Sequence, residues 1–117
     1  MSISNQKRDN GVNIIRVQGK LLGDTLSDLS TTFDNLLVTD GSRVILNFKD
    51  VNIIDSGAVG FLVNIFNEFT KKGAQLKLCN VGASIRNLFK LADLEALFDI
   101  YDTEDKAVAS LDIVRKS

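Results

Sequence analysis

The feature that most constrains this chain is a hydrophobic period that switches repeatedly between two values. Residues 12–18 (VNIIRVQ) are short and β-branched, as in a strand. Leu26, Leu29, Phe33, Leu36 and Leu37 then recur at spacings of three and four, the stripe of one helix face. Residues 43–48 (RVILNF) form a nearly continuous apolar run, the pattern of a strand covered on both faces. Helical spacing returns over 56–72, with Val59, Leu62, Val63, Phe66 and Phe69 on one side and Phe61 and Ile65 widening the stripe. Residues 75–79 (QLKLC) alternate again. Ile85, Leu88, Phe89 and Leu91 predict a helix from near Ala83. Residues 97–101 predict a short last strand, and Ala107, Val108 and Leu111 a closing helix.

Such alternation predicts an α/β fold: a single-layer mixed, largely parallel sheet with helices packed on it. The punctuation agrees. Gly19 and Gly23 bracket a turn or bulge, with 20–22 open as a second short strand. Asp24 or Thr25 is placed to cap the first helix, Asp40-Gly41-Ser42 to stop it, and Gly73 to end the second in a left-handed residue. Residues 49–55 read as a loop. The 117 residues are expected to form one domain spanning 1–117, with 1–10 a polar N-terminal segment and 115–117 frayed. Surface scaling for this mass leaves about 6,300 Å² exposed, so no covalent staple is needed.

Several absences remove whole classes of chemistry. The sequence has no His, which excludes imidazole as base and His as metal ligand. Its one cysteine, Cys79, excludes an intrachain disulfide and a thiolate cluster, and reads as a small buried hydrophobe. A net charge of −1 builds no field for phosphate backbones, so no nucleic-acid partner is expected. No apolar run approaches the roughly 18–20 residues of a membrane span, so no direct membrane insertion is expected. The opening MSISNQKRDN lacks an apolar core, which is not the form of a secretory signal. The expected setting is the reducing cytoplasm. No cofactor, metal or catalytic residue is expected.

The most informative segment is 51–63, VNIIDSGAVGFLV. An apolar stretch ends in Asp55-Ser56-Gly57 and a helix begins at once, putting Ser56 at or near the N-cap. Gly57, Ala58 and Gly60 keep the first turns small enough for another molecule to approach the backbone. A helix N-terminus offers partial positive charge and free N–H donors, so it tolerates an added phosphate. On spacing alone, Asp55 and Ser56 either cap a helix and nothing more, or mark a phosphoacceptor. Lys71, Lys72, Arg86 and Lys90 read as solvated helix faces, with Arg86 and Lys90 also placed to meet an acidic partner. Ser84 reads as a plain N-cap.

Residues 51–63 resemble the signature of the STAS domain, specifically the bacterial anti-sigma factor antagonists. There an apolar stretch leads into Asp-Ser, then Ser or Thr, then Gly-Leu-Gly and the helix. The VQGKL stretch resembles the family's early Gly-x-Leu turn, residues 76–101 its strand, Asn-Val turn, helix and short strand, and EDKAVASL its closing helix. Gly57 stands where the family has Ser or Thr, and Ala58 where it has Gly. The acidic residue that many members carry after Gly-x-Leu falls on Leu22, with Asp24 two positions on.

The resemblance implies a partner switch. Ser56 is the phosphoacceptor, and Asp55, Gly57, Ala58, Val59, Phe61 and Asp24 form the partner-binding surface. The unphosphorylated protein binds an anti-sigma factor of the GHKL Ser kinase type and frees the sigma factor. Phosphorylation ends that binding, and a PP2C-type phosphatase restores it. The chain is then a kinase substrate and not an enzyme, and the modest apolar surface expected of it fits a monomer or weak dimer. The alternative is a constitutive STAS docking module of a transport or signalling complex, not regulated by phosphorylation. An enzyme is disfavoured because Ser56 has no imidazole and no Gly-x-Ser-x-Gly elbow. A phosphoaspartate receiver is rejected because Gly19-Lys20 and Asp102-Thr103 stand where its acidic pair and Lys belong.

Overall fold

The computed structural model describes residues 2–8, 10–37 and 42–116, the last five of them by backbone alone. Its elements are β1 (Ser2–Lys7), β2 (Asn13–Leu21), a 3₁₀ turn (Gly23–Thr25), α1 (Ser27–Leu36) and β3 (Arg43–Ile54). They continue with α2 (Ser56–Lys71), β4 (Gln75–Cys79), α3 (Ala83–Leu91), α4 (Glu95–Phe98), β5 (Ile100–Tyr101) and α5 (Glu104–Lys116). The five strands lie side by side in chain order. β1 is antiparallel to β2 and every other pair is parallel, which is the mixed, mostly parallel α/β sheet expected.

That order dictates where the helices go. Each parallel crossover advances the sheet by one strand in the same direction, so crossovers of one hand stack their helices on one face. Leu29 and Phe33 of α1, Leu62, Phe66 and Phe69 of α2, Ile85 and Phe89 of α3 and Phe98 of α4 accordingly share one apolar cluster. The inward residues of the strands close it: Ile15 and Val17, Val44, Leu46 and Phe48, Leu76 and Leu78. Aromatic edges knit the layer, with Phe33 against Phe69 and Phe89 against Phe98 at centroid distances of 5.8 and 4.8 Å. The alternate residues, Val12, Ile14, Ile45 and Cys79, face the opposite side and meet Ala107, Val108 and Leu111 of α5. Burial pushes the Cys79 thiol up to about 12, with the nearby Glu104 charge adding to the effect.

Four expectations are corrected. Residues 49–55 are not a loop: β3 continues through Ile54, pairing Asp50, Val51, Ile53 and Ile54 with Gln18, Gly19, Lys20 and Leu21. Two register shifts fall opposite residues 16–20, each leaving one extra residue in β3, and Gly19 takes φ +105, so β3 bulges against β2 and the alternation that marks a strand is broken. Residues 20–21 therefore belong to β2 rather than to a second strand. The polar segment 1–10 contains β1. Leu97 lies in the short α4, so the last strand holds only Ile100 and Tyr101. Helix α5 continues to Lys116; Ser117, Asp40 and Gly41 lie outside the described residues.

Candidate functional site

The C-terminal end of β3 delivers Asp55 to the start of α2, and the backbone there fixes the roles. Asp55 is the N-cap, with extended backbone (φ −107, ψ 175), and its Oδ1 accepts the Ala58 N–H at 2.9 Å. Ser56 is therefore the first helical residue, not the cap. The same carboxylate reaches across to the 3₁₀ turn after β2, accepting the Gly23 N–H at 2.9 and 3.1 Å on its two oxygens. One side chain thus caps α2 and ties two chain segments thirty-two residues apart.

The tie needs close backbones. A Cβ added at Gly23 would sit 2.9 Å from the Gly57 Cα, and one added at Gly57 would sit 3.0 Å from the Gly23 Cα. Both positions are glycine because each is the other's neighbour. Gly57 is thus explained inside the molecule, where the sequence had suggested room for a visitor. Gly60 is the reverse case: a Cβ there would meet nothing within 4 Å. An exposed glycine inside a helix costs about 0.5–1 kcal/mol relative to alanine, and no neighbour in the fold requires it.

Between the 3₁₀ turn with α1 and the first turns of α2 runs an open groove of about 580 Å³. Gly57, Gly60, Phe61 and Asn64 form one wall, at the helical spacing that puts them on a single face. Gly23, Asp24, Leu26, Ser27 and Ser30 form the other. Ser56, one residue before the groove-lining Gly57, is exposed, and among the described residues no group hydrogen-bonds its hydroxyl. Asp24 and Asp55 are exposed as well.

The structure brings Asp24, Gly57 and Phe61 together in the lining of this groove, with Asp55 and Ser56 directly before Gly57 in the chain. Phe61 is half-buried, its ring 6.2 Å from that of Phe33, so it serves core and groove at once. Val59 is half-buried against the main core. Ala58 is corrected: it is fully buried, so its methyl cannot touch a partner and its N–H is spent on Asp55. Asp24 and Thr25 do not cap α1, because Gly23–Thr25 closes its own 3₁₀ turn and Leu26 is the N-cap, with no side-chain bond. Likewise Gly82, not Ser84, precedes α3 as its N-cap. Arg86 is not a free cation: it pairs with Glu95 at 3.4 Å and Asp102 at 3.5 Å. Gly23, Leu26, Ser27 and Ser30 were not expected at the site. Only the Gly-x-Leu turn marked their region, and nothing local shows that it folds back on α2.

A second polar cluster lies on the α5 face. Glu104 accepts from Asn47 at 3.0 Å, from Arg8 at 2.8 Å and from Arg16 at 3.0 Å. Burial pushes its carboxyl up. The Asn47 and Arg8 hydrogen bonds and the Arg16 charge outweigh this and hold it below its usual value. The cluster anchors the start of α5 to β2 and β3. Among the described residues no group of three acidic or cysteine side chains could hold a metal ion, and no helix is long and apolar enough to cross a membrane.

The STAS domain profile matches residues 4–107. The chain belongs to the STAS domain family. Among curated proteins, this STAS domain is 25% identical over 105 residues to the anti-sigma F factor antagonist of Paenibacillus polymyxa, spanning 89% of this chain and 90% of that one. Its fold superposes on a crystal structure from Thermotoga maritima with a TM-score of 0.83 at 24% identity, over 92% of each chain. It also superposes on the phosphorylated form of the Bacillus cell fate determinant SpoIIAA, with a TM-score of 0.73 at 19% identity, over 94% of this chain and 99% of that one. At these identities the two structures speak for the fold of this STAS domain.

Proposed function

We propose that this STAS domain is an anti-sigma factor antagonist that works as a phosphorylation switch at Ser56. One observation carries the reading: the Ser56 hydroxyl stands exposed and unbonded at the first turn of α2, one residue before Gly57 in the groove wall. The unphosphorylated form binds an anti-sigma factor that is also a Ser kinase of the GHKL type, in the cytoplasm, and so releases a sigma factor. Phosphate on Ser56 ends the complex and a PP2C-type phosphatase resets it. The domain is the substrate in this cycle rather than an enzyme; its sequence offers Ser56 no imidazole base.

The local physics supports a switch that acts on the partner and not on the fold. Asp55 already takes the Ala58 N–H, and its carbonyl takes that of Val59. The remaining first-turn N–H groups have no intrahelical acceptor and, with the helix dipole, accept a phosphate without unfolding α2. A docked partner would instead desolvate about 1.5–2 added charges next to Asp55. Inverting occupancy from 99:1 to 1:99 needs about 5.5 kcal/mol, which lies within the reach of one buried, unpaired phosphate. Gly60, one turn below Ser56 with open space above its Cα, leaves backbone within reach of that partner.

The test is capture from the native cell on immobilised wild-type chain, followed by ATP. The expected result is a co-purifying kinase that adds one phosphate, mapped to Ser56 by mass spectrometry and absent in Ser56→Ala. A captured partner that never phosphorylates the chain would point to a constitutive docking module instead.

A further inference from the structure

We infer that β1 is a self-association edge, at which a second copy of this chain pairs antiparallel, β1 to β1, across a two-fold axis at Asn5. The register follows from the ladder. Ser2 to Lys7 lie opposite Gln18 to Asn13, and one step further the Arg8 N–H donates to the Val12 carbonyl at 2.8 Å. In an antiparallel pair, bonded and non-bonded positions alternate. Residues 8, 6, 4 and 2 therefore turn their backbone groups toward β2, while Ile3, Asn5 and Lys7 aim theirs out of the sheet. No described strand lies beyond them, since β1 is the first strand in the order.

Such an edge is normally blunted by proline, a bulge or inward charge. β1 has none of these: its sequence is SISNQK, paired without a register shift, with one charge at the end. Only one two-fold register uses all three outward residues, with Asn5 facing its copy and Ile3 facing Lys7 of the other chain. Ile3 packs on the main core, so strand alternation puts Ile3, Asn5 and Lys7 on the face that carries α1. There β1 and α1 bound a groove of about 550 Å³ lined by Ile3, Asn5, Asp28, Thr31, Thr32 and Asn35. Lys7 of the second copy, opposite Ile3, enters this groove next to Asp28, and the symmetry makes the same pair twice. A six-residue edge with two such pairs is a small interface, so the dimer is weak and concentration-dependent.

Sedimentation equilibrium of the full chain tests this. From about 10 µM to 1 mM the weight-average mass is expected to rise from 12.8 kDa toward twice that value. Lys7→Asp is expected to hold it at the monomer, and Lys7→Asp combined with Asp28→Lys to restore the rise. Asn5→Pro removes only an outward N–H, so it is expected to melt with the wild type yet stay monomeric. Asn5→Cys is expected to form an interchain disulfide under mild oxidation, because bonded antiparallel partners sit about 5.5 Å apart at Cα, within disulfide range. A wild-type mass flat at the monomer value to 1 mM, or a rise that the charge reversal and Asn5→Pro leave unchanged, overturns the inference.

Discussion

Removing the Asp55 carboxylate tests the architecture of the site at its central joint. In Asp55→Ala the Ala58 N–H loses its cap and the Gly23 N–H loses a two-oxygen acceptor. The cap is worth about 1 kcal/mol. A hydrogen bond to a charged acceptor is worth about 1.5–3 kcal/mol when buried, and at this exposed position about 1 kcal/mol. The expected loss is therefore about 2 kcal/mol. At about 2.1 cal/mol/K per residue, 117 residues unfold with an entropy near 0.25 kcal/mol/K, so Tm should fall by about 8 °C. Asp55→Asn keeps a carbonyl oxygen for Ala58 but loses the charge facing Gly23, and should fall about half as far. Thermal melts followed by far-ultraviolet circular dichroism at pH 7 read both. An Asp55→Ala melt within about 1 °C of wild type would refute the reasoning, because the 3₁₀ turn would then be held by something other than this carboxylate.

Three further outcomes follow from the same contacts. Glu104→Gln should lower stability by about 1–2 kcal/mol at neutral pH. The folded carboxyl is held below its ordinary 4.5, so wild-type Glu104 stabilises fully above that pH and loses its advantage as pH falls through the depressed value; the gap between the two melts should close in acid, and a gap constant with pH would contradict the ion cluster. Gly57→Ser, the residue type common in the family, should destabilise by about 1–3 kcal/mol, since its Cβ lands 3.0 Å from the Gly23 Cα; an unshifted melt would show that the two backbones part freely. Gly60→Ala should raise Tm by about 2–4 °C while weakening partner binding in a titration, and a variant both more stable and equally tight-binding would remove Gly60 from the interface.

The elements legible in the sequence were those whose burial is one-sided or complete. α2 shows its stripe because one face carries Leu62, Phe66 and Phe69 into the core, and β4 shows its alternation because Leu76 and Leu78 face one layer while Cys79 faces the other. β1 was hidden because only Ile3 of its six residues packs on the core, so its polar sequence carries no period. The second half of β3 was hidden because its own bulges against β2 put Phe48 and Val51, three apart, on buried positions. At the site, the helix start and the exposed hydroxyl could be read locally. The tie from Asp55 to Gly23 could not, because only the folded sheet brings that amide to the carboxylate.

The central claim is that charge on one hydroxyl decides partner occupancy while leaving the fold intact. Titration calorimetry of the captured kinase against the unmodified chain and against the same chain phosphorylated at Ser56 tests it most directly. The expected result is about a ten-thousandfold loss of affinity on phosphorylation, equivalent to about 5.5 kcal/mol, with the two melts within a few degrees of each other. Equal affinities for the two forms, or a phosphorylated chain that binds less only because it has unfolded, would contradict the account.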